Sequence, residues 1–249
     1  MKLKNKVAIV TGSSRGIGAA TVKLLAQNGA KVVVNYVQNK QEGENVLKSI
    51  HEIGAEAILV QADVTVLDQV EKMVRRTEEE LGPVDILVNN ANMSFPIMPF
   101  HQYKWEDFEM KLLNEMKANF FCCQAVVPSM IERKAGCIVN VSSGLSRVSG
   151  EGFIAHSSAK SALDAFSKTL ALELGPNGIR VNVIAPGLTI TDATAHQSKE
   201  MHEAIAAHTP LRRLAKPVDV ASAVLFYCTD DSRFVTGTYL PVCGGIQMT

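Results

Sequence analysis

Residues 11–18 read Thr-Gly-Ser-Ser-Arg-Gly-Ile-Gly, a glycine-rich turn between an apolar β-branched run and a helical pattern. Glycines there let the backbone turn tightly and come close to an anion, while the helix that follows offers unpaired N–H groups. Such a loop cradles the pyrophosphate of a dinucleotide, with Gly12, Ser14, Arg15, Gly16, Ile17 and Gly18 as the contacts. A strand before the loop and a helix after it are the context this motif requires; without a ligand it would be only a glycine-rich turn.

The elements that must position these groups are visible as alternating apolar runs and amphipathic stretches. Strands are predicted at 6–11, 31–36, 56–61, 84–89, 136–141, 179–185 and 238–242. Most are continuously apolar, which suits parallel strands covered on both faces. Between them, Val66, Val70, Met73, Val74 and Leu81 fall on one helical face. The repeated β-α pattern predicts an α/β fold: a doubly wound parallel sheet of Rossmann type, with helices on both faces and right-handed crossovers. No linker, repeat or low-complexity segment divides the chain, so one domain is expected over 1–249. The least regular stretch, 188–210, is read as a lid over a pocket.

Composition narrows the function classes. Lys+Arg and Asp+Glu each number 25, so the 249-residue chain is formally neutral and carries no basic footprint for nucleic acid or a membrane surface. No apolar run reaches about 18 residues, and residues 1–10 run too directly into a strand pattern for a signal peptide. Cys122, Cys123, Cys137, Cys228 and Cys243 form no CxxC pair, which predicts reduced, mostly buried thiols and a cytoplasmic protein. The adjacent pair Cys122-Cys123 is read as helix packing rather than redox chemistry. His101, His196, His202 and His208 are scattered with no second ligand type at metal spacing, so no metal is expected.

NAD-selective sites place a carboxylate at the end of the second strand, to bond the ribose 2′-hydroxyl. Here that strand ends Val34-Asn35-Tyr36, with no acid, and Arg15 stands in the loop where a guanidinium can pair with a 2′-phosphate. NADP(H) is therefore expected over NAD(H), the alternative for Arg15 being a solvated residue at the start of a helix.

Further segments follow in order along the chain: Asp63-Val64, Asn89-Asn90-Ala91, Ser142-Ser143, Lys160, and Pro186-Gly187 with Thr189 and Thr191. With the TGxxxGxG loop, this series resembles the short-chain dehydrogenase/reductase family over nearly the whole chain, and within it the 3-oxoacyl-acyl-carrier-protein reductases. The resemblance implies hydride transfer between a nicotinamide and a carbonyl or alcohol. It implies adenine contacts at Asp63 and Val64, and nucleotide contacts at Asn35, Tyr36, Asn90, Ala91 and Lys160. It also implies a carboxamide loop at Pro186, Gly187, Thr189 and Thr191. In the family a Tyr exchanges the proton, a Lys four residues on lowers the pKa of that Tyr and holds the ribose, a Ser bonds the substrate oxygen, and an Asn supports a water relay to the Lys. Ser143 and Lys160 match. His156 stands at the Tyr position, Glu115 at the Asn position, Asn92 where the family has Gly beside the nicotinamide, and Cys243 where it usually has Asp. Asn114 is one residue off, about 100° around the helix, and does not simply substitute.

Three readings follow. In the first, an NADP(H)-dependent reductase works through a rewired relay of Glu115, His156 and Lys160, Glu115 favouring the charged forms of its neighbours, with Ser143 binding the oxygen. In the second, the protein binds dinucleotide without reducing anything, and His156 is a surviving pocket residue. In the third, a lyase or isomerase uses Glu115 and His156 as base and acid. Glu115 and His156 both facing the cleft would favour an enzyme; Glu115 locked against Lys160 would favour the non-catalytic reading. The expected substrate is a small-molecule or acyl-thioester carbonyl, with Phe95, Pro96, Phe100 and Phe153 lining an apolar pocket or packing in the core. Small and apolar residues at Phe121, Cys122, Ala125, Val126, Ala159, Ala162, Leu163, Phe166 and Leu170 exceed what one sheet face needs. With the resemblance, they imply a homodimer or homotetramer.

Overall fold

Each of the seven apolar runs becomes a strand of one parallel sheet in the computed structural model, which describes residues 1–195 and 197–247. The strands are β1 (Val7–Val10), β2 (Lys31–Tyr36), β3 (Ala57–Gln61), β4 (Ile86–Asn89), β5 (Gly136–Val141), β6 (Ile179–Pro186) and β7 (Tyr239–Val242). Their order is β3-β2-β1-β4-β5-β6-β7, and every neighbouring pair is parallel. The order reverses direction between β1 and β4. At such a switch point the connections leave in opposite directions and open a crevice at the carboxyl ends of the strands.

The helices are α1 (Gly16–Gln27), α2 (Lys40–His51), α3 (Leu67–Glu80), α4 (Trp105–Arg133), α5 (Ile154–Leu174), α6 (Lys199–His208) and α7 (Pro217–Cys228). Apart from α6, which buries no residue, they split between the two sheet faces. Val70 and Met73 of α3, Cys122 and Met130 of α4, and Leu174 of α5 share one core with Val7 and Ile9. Val22 and Leu25 of α1, Ile50 of α2 and Val224 of α7 share the other with Ala8 and Val10. Alternate residues of β1 therefore serve opposite cores, which is why its sequence shows no polar alternation.

Two expectations are adjusted. Val66 caps α3 and is exposed rather than facing the core, because the helix begins only at Leu67. The stretch 188–210 is not all irregular: Ser198 accepts from the N–H of Met201 at 3.2 Å and starts α6. His196 lies outside the described residues. No described helix is long and apolar enough to cross a membrane. All five cysteines are free and buried. Burial raises the thiols of Cys122 and Cys123, the latter to about 12, in line with a packing role.

Candidate active site

The glycine loop is held from three sides. Gly12 and Gly16 take φ of +60° and +57°, a conformation that glycine adopts without a Cβ clash. A Cβ on Gly18 would lie 2.4 Å from Gly12 O and 2.5 Å from Asn90 Nδ2, so helix α1 meets the turn at a distance no side chain permits. Asn90 Nδ2 donates to Thr11 O (2.8 Å) and Gly12 O (3.1 Å), while Thr11 Oγ1 accepts from the N–H groups of Asn90 and Ala91. These bonds tie the end of β4 to the loop. No side chain caps α1, leaving its first N–H groups open toward the crevice end. Ser14, Ile17 and Ala91 are half-buried along the same turn.

Asn35 is a correction. Its side chain is buried and used inside the fold: Oδ1 accepts from Gly12 N at 2.9 Å, and Nδ2 donates to Ala62 O at 3.0 Å. It shapes the loop, and at 0% exposure its side chain does not reach a ribose. Tyr36 is also buried at the end of β2, facing Gly43 of α2. Arg15, in contrast, is exposed, and its guanidinium makes no hydrogen bond or ion pair among the described residues. Asp63 accepts from Thr65 N (2.9 Å) and Thr65 Oγ1 (2.7 Å) through one oxygen, beside the buried Val64.

Across the crevice, Pro186 ends β6 and Gly187 N donates to Val242 O at 3.0 Å. Thr194 Oγ1 donates to Thr189 O at 2.8 Å and accepts from Thr191 N at 3.0 Å, folding 189–194 into a tight turn. A Cβ built on Gly16 would stand 3.5 Å from Thr191 Cγ2. The phosphate loop and the 189–191 turn thus face each other across one side chain's width. Bare backbone, open helix N–H groups and a free guanidinium fit the diphosphate of a phosphorylated dinucleotide.

The proton-handling end differs from expectation. Lys160 Nζ donates to Glu115 Oε1 (2.6 Å) and to Val141 O (2.7 Å), leaving one N–H. Glu115 Oε2 accepts from Lys111 Nζ at 2.6 Å. Lys111 is 0%, Glu115 1% and Lys160 3% exposed at the side chain. Lys111 spends its other two N–H groups on Asn92 Oδ1 and Met93 O, each at 2.8 Å. Burial lowers the Lys111 pKa to about 8, with Glu115 opposing and Lys160 adding to the fall. Burial alone would raise the Glu115 carboxyl, but the Lys160 and Lys111 ammonium groups outweigh it and hold it at about 2.

His156 is 8% exposed and stacks on Phe95 with ring centroids 4.7 Å apart; Phe153 meets it edge-on at 6.3 Å. Its Nδ1 has no partner among the described residues. Burial, then Lys160 and Lys111, lower its pKa to about 3, so the ring is neutral at physiological pH. Glu115 was expected to favour the imidazolium; its pull is the smallest contribution and is outweighed by burial and by the two lysines. Glu115 and His156 make no hydrogen bond, so the expected three-membered relay is not assembled in this form. Ser143 accepts from Leu145 N at 3.2 Å, and its hydroxyl hydrogen remains available. Phe95 and Phe153 flank His156, whereas Phe100 is 76% exposed and makes no ring contact with them.

Lys111 has no counterpart in the sequence reading. Its spacing of four from Glu115 on a helix was a readable signal for a pair, but not for burial. Asn119, which donates to Glu115 O at 2.7 Å, and the buried ladder Asn89–Asn140–Ser167 were also missed.

Comparison with known proteins places this geometry. The family described as enoyl-(acyl carrier protein) reductase matches residues 12–247. The 3-oxoacyl-[acyl-carrier-protein] reductase FabG of Staphylococcus epidermidis is 34% identical over 98% of this chain and 100% of its own length. The 3-oxoacyl-[acyl-carrier-protein] reductase of Synechocystis sp. is 37% identical over 99% of this chain and 98% of its own. A blue fluorescent protein from a metagenomic library, solved in complex with NADPH, superposes with a TM-score of 0.91 at 35% identity, covering all of both chains. Sequence likeness and sheet order agree along the whole length, from the glycine turn to the last strand: the chain belongs to the short-chain dehydrogenase/reductase family.

Proposed function

We propose that this chain is an NADP(H)-dependent oxidoreductase, similar to 3-oxoacyl-[acyl-carrier-protein] reductases, that transfers hydride between the nicotinamide and a carbonyl carbon. The observation that carries it is the open glycine cradle with a free Arg15 and no carboxylate at the end of β2. Gly12, Ser14, Gly16, Ile17 and Gly18 hold the diphosphate and Arg15 the 2′-phosphate. Asp63 and Val64 flank the adenine, Asn90 and Ala91 the middle of the cofactor, and Pro186, Gly187, Thr189 and Thr191 the carboxamide. Bound there, NADPH supplies the hydride.

Ser143 donates a hydrogen bond to the substrate oxygen, and Lys160 has one N–H left for the ribose. Neutral His156 donates a hydrogen bond but is not an acid at neutral pH. Two buried ammonium groups against one carboxylate leave an excess positive charge beside the cleft, which stabilises the alkoxide that forms as the carbonyl is reduced. Water then supplies the proton that completes the alcohol. The substrate class taken from the relatives' names is an acyl thioester bearing a second carbonyl; the enoyl reductase description would instead reduce a carbon–carbon double bond.

The Lys160–Glu115 lock specifically favours a second reading: a protein that binds NADP(H) and turns nothing over. The lyase or isomerase reading lacks a base, since a carboxyl held at about 2 is a poor proton acceptor. The deciding experiment follows NADPH absorbance against a panel of ketones and 3-oxoacyl thioesters, with calorimetry for NADPH and NADH in parallel. Calorimetric binding of NADPH with no oxidation on any substrate would move the conclusion to the second reading. Failure to bind either nucleotide would refute both.

Assembly is proposed as a homodimer or homotetramer through α4 and α5, in the cytoplasm. Of the residues expected there, Cys122, Val126, Ala159 and Leu163 are buried within the subunit; the apolar face left outside carries Met110, Leu113 and Phe120. Light scattering giving the monomer mass at micromolar protein would exclude this.

A further inference from the structure

We infer that Asn92 is a specificity residue. Lys111 locks its side-chain amide so that the NH2 group faces outward to bond a second oxygen acceptor of the substrate, a carboxylate or a thioester carbonyl beside the reacting ketone. This rests on the oxidoreductase reading and deepens it.

Lys111 is the cause of the fixed orientation. An ammonium group donates and cannot accept, so the atom of Asn92 that faces Lys111 at 2.8 Å must be Oδ1. An exposed asparagine ordinarily flips its amide freely between the two orientations. This one cannot do so without leaving a fully buried lysine short of a partner. Lys111 is itself held by Met93 O and Glu115 Oε2, so all three of its N–H groups have acceptors. The lysine is therefore a strut, not a proton donor.

The NH2 group of Asn92 has no partner among the described residues, and the residue is exposed. Its place in the chain puts it in the crevice. It follows Asn90 and Ala91, which are bonded to the glycine loop, and Lys111 lies 5.1 Å from the centre of the Phe95 ring that covers His156. The excess positive charge of Lys111 and Lys160 over Glu115 adds a reason for the partner to be an oxygen bearing negative or partial negative charge. A simple ketone offers one such oxygen, and Ser143 is already placed for it. A 3-oxo acid or 3-oxo thioester offers two.

The test is titration calorimetry on the full chain with NADP⁺ present, so that no reduction occurs. The probes are acetoacetate, the acetoacetyl thioester of N-acetylcysteamine, and 2-pentanone as the single-carbonyl control. At least one two-oxygen probe is expected to bind about tenfold more tightly than 2-pentanone, as one added hydrogen bond to a polar acceptor predicts. Which one does so separates a carboxylate from a thioester carbonyl as the acceptor. Asn92→Ala should bring the ratio to near one, and Asn92→Asp should selectively repel acetoacetate. Lys111→Met should also lose the preference, because the amide is then free to turn; if that variant does not fold, the exposed Asn92 substitutions still decide. Equal binding of all three probes, binding of none, or a preference that survives Asn92→Ala would overturn the assignment. No heat from NADP⁺ would overturn the cofactor reading instead, and the same probes titrated without nucleotide would still rule on Asn92.

Discussion

Glu115 Oε1 stands 2.6 Å from Lys160 Nζ, joining α4 to α5 in the interior, and the carboxylate's second oxygen holds Lys111 at the same distance. A single carboxylate therefore neutralises part of two buried cations. Each member covers the desolvation of the others, and removing one leaves a charge with nothing to compensate it.

Glu115→Gln should destabilise the protein by about 3–5 kcal/mol, since both ammonium groups then face each other through a neutral amide. Urea denaturation measures this. The double variant Glu115→Gln/Lys111→Met should recover part of the loss by removing one of the stranded charges.

His156→Tyr restores a group that can donate a proton directly to the alkoxide. NADPH oxidation with a 3-oxoacyl thioester should rise by a factor on the order of 10², the lower end of what a positioned acid contributes. Unchanged turnover in the Tyr variant would mean that proton supply is not what limits this site.

Arg15→Ala should weaken NADPH binding roughly 10- to 100-fold, the worth of a charge-assisted hydrogen bond to phosphate, while leaving NADH binding nearly as it was. Calorimetry with both nucleotides reads the difference. An equal loss for both would place the guanidinium elsewhere than on the 2′-phosphate.

Gly18→Ala puts a methyl group 2.4 Å from Gly12 O and 2.5 Å from Asn90 Nδ2. Neither neighbour can yield without breaking the tie between β4 and the loop. The variant should lose about 2–3 kcal/mol, or roughly 5–10 °C in Tm, together with its nucleotide binding.

Acid should destabilise the fold through His156 before the carboxylates contribute. The unfolded ring takes up a proton as pH falls through its ordinary 6.5, whereas the folded ring resists until about 3. The unfolded state then binds one more proton, so stability falls with decreasing pH across this window, at up to about 1.4 kcal/mol per pH unit. Glu115, held at about 2 against an ordinary 4.5, adds a loss of the same sign only below about pH 4.5. Between pH 6.5 and 5, His156→Asn should therefore lose stability less steeply than the natural chain, as measured by urea midpoints across that range.

Much of the fold could be read from patterns a few residues long. The strand runs were near their true limits because most strands, such as β1 and β4, are buried on both faces, so the apolar signal is continuous. Where they overshot, at residues 6, 11, 56, 84, 85 and 238, the regular ladder stops short of the apolar run; at β1 and β4 the edge is instead tied by Asp85 Oδ2 accepting from Val7 N at 3.0 Å. The glycine cradle was legible for a similar reason: a loop with φ near +60° at Gly12 and Gly16 demands glycine whatever surrounds it.

Side-chain partners across the fold were not legible. Asn35 looked like a nucleotide contact because its place in the chain was right, and only the pairing of β2 with β1 and β3 shows its amide spent on Gly12 and Ala62. Lys111 drew no notice in the sequence, because most lysines are solvated and nothing local marks a buried one. Its burial depends on where α4 crosses the end of β4 and where α5 delivers Lys160, contacts separated by 18 and 45 residues in sequence. Local sequence determined the sheet, the cradle and the identity of the titratable groups, because those depend on backbone conformation and neighbours along the chain. The charge state of His156, the bridging role of Glu115 and the direction of the Asn92 amide were decided by tertiary structure, because electrostatics acts through space and burial sets its strength.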